Sequence, residues 1–493
     1  MFKEYDQYDG LGLSELIKRK EVSTNDVLEA AINKAEENKD LNAIIRPMYD
    51  EARNEMSKLN GEGIFEGVPT LLKDLIIHYK GVPTTSGSKA LKDFIPTEDS
   101  YFTQRMKNAG MLIIGKSNTP EFGIKGTTEP EYFGATKNPW DKTRTPGGSS
   151  GGSASAVAAG IVPFAHGNDG GGSIRIPASH CGLFGLKPTR KRTPHGPFYG
   201  EIVDGAVCDH FITKSVRDSA ALLDVVSGDD PTAVFNIESY KGSYLKDINE
   251  PPKKLKIGYH LNSPIGGTIS SDCQKALEQT ITLCRELGHE VQEASPKFDG
   301  LELAKYFLIQ YSASNSFTYE QIVRQKGASF ARNNTELETQ VLCLIGKTFT
   351  AEDYVRAQDF KFRLCKSFHE FHKDYDLLLT PTVAHPAGKL GTHQISFLEE
   401  IASQIVLKLR AGKLLMATGL VDKIAKENMN KVPYTQMTNI NGFPSMSVPL
   451  YWTEKGMPLG SMFSARFGDE VTLLQLAAQL ENAQDWKKRR PNL

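Results

Sequence analysis

Between Thr145 and Lys187 the chain reads TPGGSSGGSASAVAAGIVPFAHGNDGGGSIRIPASHCGLFGLK, two glycine-rich serine turns within 43 residues. Such turns constrain a fold strongly. Glycine permits backbone conformations and close approaches that other residues forbid, so both turns belong where backbone meets backbone or a ligand. Glycines flank the pair Ser149 and Ser150, and three more precede Ser173. Backbone N–H groups and hydroxyls bared in this way suit phosphate or carbonyl alike.

The surrounding pattern is that of an α/β protein. LSELIKRK, a start signal at Ser23-Thr24-Asn25-Asp26 before VLEAAINKAEE, and YDEARNEMSKL predict helices between 12 and 60. GVPTLLKDLIIHY (67 to 79) predicts a turn, a lysine and a strand, and YFTQRMKNAGMLIIGKSN predicts a helix, a glycine stop and a buried strand. KLKIGYH, SDCQKALEQTITLCRELGHEVQE and YDLLLTPT repeat the alternation late in the chain. That rhythm predicts a sheet covered by helices on both faces. Residues 300 to 370 and 396 to 426 read as helical, the first rich in aromatics. With no repeat or low-complexity linker, residues 1–493 read as one domain, with a helical substrate-pocket region at about 300–430 inside it.

Composition excludes several classes. Lys and Arg total 58 against 59 for Asp and Glu, a net charge of −1, so no global field favours nucleic acid or an acidic membrane. The six cysteines show neither disulfide-framework nor metal-ligand spacing and are expected as buried thiols, so no metal or cofactor is expected. The N-terminus lacks a signal-peptide core, and no apolar run is long enough to span a bilayer. A cytoplasmic enzyme acting on a small molecule is the expectation.

Neither glycine turn carries the lysine of a phosphate-binding P-loop or the frame of a dinucleotide fingerprint. Ser173, His166 and Asp169 are close in sequence, but catalytic triads are assembled from distant segments, and no G-x-S-x-G elbow surrounds Ser173. His166 and His180 therefore read as structural. With no imidazole poised, a serine nucleophile needs another base, and lysine is the recognised alternative.

These strings resemble the amidase signature family of serine hydrolases. GVPTLLKDL (67 to 75) resembles its lysine motif, while PGGSSGGSASAVAAG (146 to 160) and GNDGGGSIRIPASHCGLFGLKPT (167 to 189) resemble the signature. GKSNTPEFG, GATKNPW and INGFPSMSVPL extend the similarity over nearly the whole chain. Within the family, TTEPE, AHGND, SIRIPAS and LQLAAQLENAQDWKKRRP are most similar to 6-aminohexanoate-cyclic-dimer hydrolases and related bacterial amidases. The resemblance implies a large mixed central sheet, no cofactor, and hydrolysis of carboxylic amide C–N bonds through an acyl-enzyme. It implies Ser173 as nucleophile, Ser149, preceded by a cis peptide, as proton bridge, and Lys73 as base. It places the oxyanion hole on the backbone of Gly170, Gly171, Gly172 and Ser173. Ser150, Asp169, Arg175 and Glu129 are implied as supporting neighbours.

A lysine of ordinary pKa, about 10.4, is a cation at neutral pH and cannot accept a proton, so Lys73 must be desolvated or sit in positive potential. Asp74 would oppose this unless its side chain points away, as strand alternation predicts. Many relatives carry a bulkier residue where this chain has Gly170. The third glycine either widens the space beside the acyl carbon or is without functional consequence. The pocket wall is expected from 300 to 370, 396 to 426 and the loop 124 to 134, around an uncharged amide. Two other readings share these motifs: the ammonia-releasing amidase subunit of the glutamyl-tRNA(Gln) amidotransferase, and a non-catalytic binding protein on the same scaffold. A homodimer is compatible with all three.

Overall fold

The computed structural model describes residues 2–392 and 429–493. The helical stretch expected at 396 to 426, and with it part of the expected pocket region, lies outside the described residues. Near the N-terminus the start signal acts as read: Ser23 accepts the N–H of Asp26 and caps the helix Thr24–Glu37.

Eleven strands are described, β1 (Ile44–Pro47), β2 (Pro69–Lys73), β3 (Leu112–Ser117), β4 (Phe164–Asp169), β5 (Phe184–Lys187), β6 (Cys208–Thr213), β7 (Lys256–Tyr259), β8 (Glu290–Glu293), β9 (Leu377–Pro381), β10 (Ser445–Trp452) and β11 (Pro458–Ser464). Eight of them form one mixed sheet in the order β4-β6-β5-β10-β11-β9-β7-β8. Neighbours are antiparallel from β4 to β9 and parallel from β9 through β7 to β8. The central strands are buried along their length, which requires cover on both faces.

Strand alternation sorts that cover. Leu377 and Leu379 join Met446, Phe463 and the helices Val216–Val226, Ser271–Glu286 and Glu470–Ala483 in one core. Leu378 and Met462 point the other way, into a core built by the helices Gly300–Lys326, Ala351–Asp374 and Gln436–Asn441. The aromatic region 300 to 370 is helical as its pattern predicts. Tyr306 lies in this second core, whereas Phe317 and Tyr354 are exposed.

The sequence pattern did not resolve a second, three-stranded sheet of order β1-β3-β2. It abuts the β4 edge of the large sheet through side chains. Thr70 Oγ1 donates to the Phe164 carbonyl at 3.0 Å, and the Lys73 N–H donates to His166 Nδ1 at 3.3 Å. The strand expected across 67 to 79 ends at Lys73, because the chain then turns through Ile76 at φ 71°. Among the described residues no helix is long and apolar enough to cross a membrane.

Leu379 is fully buried in the centre of the large sheet. Leu379→Ala is expected to destabilise the protein by about 2 to 5 kcal/mol through lost transfer energy and a residual cavity. Urea denaturation measures this, and a loss below about 1 kcal/mol would show that the site collapses freely.

Candidate active site

The first glycine turn runs from Pro146 into the helix Gly151–Ala158, and its Gly148–Ser149 peptide is cis, where the resemblance implies it. A Cβ on Gly148 would stand 2.5 Å from the Thr127 carbonyl oxygen, so only glycine lets the turn lie on that backbone. Thr128 fastens it further: Oγ1 donates to the Gly147 carbonyl at 3.0 Å and accepts the Gly151 N–H at 3.1 Å. The expected loop 124 to 134 thus supports the turn, and Ser149 and Ser150 are held buried.

Lys73, the last residue of β2, is fully buried and reaches this turn. Its Nζ lies 2.7 Å from Ser149 Oγ, 2.9 Å from Ser150 Oγ and 2.6 Å from Asn168 Oδ1. Burial pushes its pKa down to about 7, against the pull of Asp209 and Asp169 toward the ammonium form. Asp74 points away, as expected, accepting from Thr85 and lying 3.5 Å from Lys116.

The three partners of Nζ are not equivalent. Asn168 Oδ1 can only accept, the assignment of its amide being fixed by Nδ2 donating to the Leu75 carbonyl at 3.2 Å. Ser150 Oγ donates its own hydrogen to the Asn168 carbonyl at 3.2 Å, so toward lysine it too must accept. A neutral amine has two hydrogens and one lone pair. Both hydrogens are taken by Asn168 and Ser150, which leaves the lone pair for the hydroxyl of Ser149.

The second turn follows β4. Asp169 at the strand's end is fully buried, and its carboxylate accepts the N–H of Gly172 at 2.7 Å and of Ile174 at 3.1 Å. Arg175, equally buried, donates to both carboxylate oxygens through Nε at 2.9 Å and Nη2 at 2.8 Å. Burial opposes ionisation of Asp169, but Arg175 and Asn439 hold its carboxyl well below the usual range. Nη1 of Arg175 continues to the Thr435 carbonyl at 2.9 Å and Thr438 Oγ1 at 2.8 Å, and Thr435 Oγ1 donates to the Gly171 carbonyl at 2.6 Å. The turn is therefore gripped from within and from the helix Gln436–Asn441. Gly172 sits at φ 123°, where a Cβ would also meet Thr435 Oγ1 at 2.5 Å.

Ser173 is half-buried, and its carbonyl accepts the Ser150 N–H at 3.3 Å, which clasps the two turns together. Lys73, Ser149, Ser150, Asp169, Arg175 and Ser173 thus converge, while Glu129 accepts from the Gly391 N–H. One implied donor needs correction. The Gly172 N–H already points at Asp169 Oδ1, whereas those of Gly170, Gly171 and Ser173 have no acceptor among the described residues. At Gly170 the absent side chain leaves no open space: a Cβ there would lie 3.1 Å from Val207 Cγ2. Phe307 and Tyr311, stacked with centroids 5.2 Å apart, flank the glycine run, and Tyr311 donates to the Gly123 carbonyl at 2.8 Å.

Sequence reasoning missed Asn168, Asp209 and the backbone bond of His166. Asn168 sits inside the quoted string GNDGGG. Its place one residue before an acidic strand end, on the face opposite Asp169, was the available signal.

Two glycine-rich serine turns thus meet a buried lysine at this site. The model of the amidase family matches residues 26–474, and the chain belongs to that family and is an amide C–N hydrolase. It is 36% identical to the 6-aminohexanoate-cyclic-dimer hydrolase of Paenarthrobacter ureafaciens, over 98% of this chain and 96% of that protein. A solved structure of 6-aminohexanoate cyclic dimer hydrolase superposes with TM-score 0.89 at 34% identity, covering 99% of each chain. A glutamyl-tRNA(Gln) amidotransferase subunit from Prochlorococcus marinus is 33% identical over 95% of both chains.

Arg175→Met is expected to destabilise by about 3 to 5 kcal/mol, because it leaves Asp169 buried without its cation. Thermal or urea denaturation checks this, and a near-neutral result would mean that Asp169 accepts a proton or water at little cost.

Proposed function

We propose that this amidase cleaves small uncharged amides, cyclic or linear, by acyl transfer to Ser173, with Ser149 as proton bridge and Lys73 as base. Neutral Lys73 takes the Ser149 proton while Ser149 takes that of Ser173, and Ser173 Oγ forms a bond to the amide carbonyl carbon. The oxyanion is met by N–H groups of the run Gly170, Gly171 and Ser173, each such donor being worth about 3 kcal/mol in related reactions. Return of the proton through Ser149 to the leaving nitrogen lets the C–N bond break to an amine, since an amide anion is too poor a leaving group. Water then attacks the acyl-enzyme by the same relay and frees the acid.

The single observation that supports this reading most is the partner set of Lys73, in which only Ser149 can donate to a neutral amine. Similarity over nearly the full length to cyclic-dimer hydrolases, at 34% to 36% identity, supports an amide of 6-aminohexanoate type as substrate. The amidotransferase reading is the weaker one, at lower identity. A non-catalytic scaffold is weaker still, because all three members of the relay are present. Six unpaired cysteines support a cytoplasmic site of action.

Ser173→Ala is expected to abolish hydrolysis of the 6-aminohexanoate cyclic dimer and covalent labelling by a fluorophosphonate; undiminished labelling would remove Ser173 as nucleophile. In the native enzyme kcat/KM should fall about tenfold per pH unit below the Lys73 midpoint near 7, because only the neutral amine is the base. Lys73→Ala should lower kcat by about three to four orders of magnitude with the fold intact. Near-normal turnover in that variant would sink the lysine relay.

A further inference from the structure

Behind Lys73 runs a buried chain of groups that the hydrolytic relay leaves unused. The Lys73 N–H donates to His166 Nδ1 at 3.3 Å, His166 Nε2 meets Asp209 Oδ1 at 3.0 Å, and His195 Nε2 stands 3.0 Å from Asp209 Oδ2. All four side chains are buried. Because Nδ1 of His166 accepts from the backbone, its hydrogen sits on Nε2 and points at Asp209. The chain runs from β2 through β4 and β6 to His195 in the segment between β5 and β6, so it crosses the seam between the two sheets.

The charges in this chain do not cancel. Burial opposes ionisation of Asp209, yet the His166 hydrogen bond and the nearby His195 imidazole hold its carboxyl low. His166 in turn is kept neutral: burial pushes its pKa down against Asp209, and Lys73 and Lys116 push the same way. Lys73 is hydrogen-bonded to Ser149 and Ser150 from the first turn and to His166 and Asn168 from β4, while the charges of Asp169 on β4 and Asp209 on β6 act on its amine. Asp169 has the Arg175 guanidinium at 2.8 Å, whereas among the described residues the groups within 3.0 Å of the Asp209 carboxylate are imidazoles. The field of Asp209 is thus the less compensated of the two that favour a proton on Lys73.

We propose that Asp209, held between His166 and His195, is a positioning residue that sets the working pH of the Lys73 amine and, through His166, fixes the strand that carries it. The inference rests on reading Lys73 as the base. Burial alone would leave the amine neutral but feeble as a base; the carboxylate restores basicity while leaving about half of the amine neutral near pH 7. His166 holds the Lys73 backbone where a ladder bond would otherwise be needed.

Asp209→Asn tests this with little change of shape, since the amide oxygen can still accept from His166 Nε2 and the amide nitrogen can donate to His195. The acid limb of kcat/KM is expected to move to lower pH by about one unit, the low end of what one nearby charge does. Plateau kcat should fall and KM should stay unchanged. An acid limb that does not move would overturn the proposal, whatever happens to thermal stability. Asp209→Ser, which removes the same charge in a smaller side chain, carries the same expectation and the same refutation should the Asn variant not fold. Lys73→Ala is measured in parallel: if its residual rate keeps the native acid limb, it is the assignment of Lys73 as base that fails, not the role of Asp209.

Discussion

The burial of one amine governs this site. A lysine held away from water at the end of β2 loses its preference for the charged form, and the groups around it then decide where its lone pair points. Two of the three neighbours can only accept in this setting, so the third, Ser149, is the one able to give up a proton. Everything else in the fold keeps that arrangement in register. The large sheet supplies Asn168 and Asp169 from adjacent positions of β4, which face opposite ways, one toward the lysine and one under the second glycine turn.

The two glycine turns depend on glycine for different reasons. Gly148 is needed because the Thr127 backbone occupies the space of a side chain, and Gly172 because its φ and the nearby Thr435 both exclude one. Between them, the bond from the Ser150 N–H to the Ser173 carbonyl ties the two turns into one unit. The Asp169–Arg175 pair then spreads the load to Thr435, Thr438 and Asn439, so the geometry of the second turn is tied to the C-terminal third of the chain. A buried pair of this kind is poor evidence of stability in itself, but it specifies one conformation for the turn it grips.

Much of this was legible in the sequence because glycine and serine at fixed spacing leave a compositional mark. Lys73, Ser149, Ser173, Asp169 and Arg175 were all reached from motif strings, and Asp74 turns away from the lysine although the strand ends one residue before it. What escaped were contacts that depend on how strands meet in space. Asp209 and His166 are 43 residues apart and meet only because β6 pairs with β4. The separate three-stranded sheet was invisible because its seam is made of side-chain bonds, which leave no periodicity. Gly170 was left open between a wider pocket and no consequence; Val207 fills the space, which argues against the wider pocket.

The most direct test is a titration of the Lys73 amine itself. In Ser173→Ala protein labelled with carbon-13 at lysine Cε, the Lys73 resonance, assigned by its loss in the Lys73→Ala double variant, should titrate with a midpoint near 7. A midpoint near the ordinary lysine value of about 10.4 would mean an ammonium at working pH, and the proton relay through Ser149 could not operate.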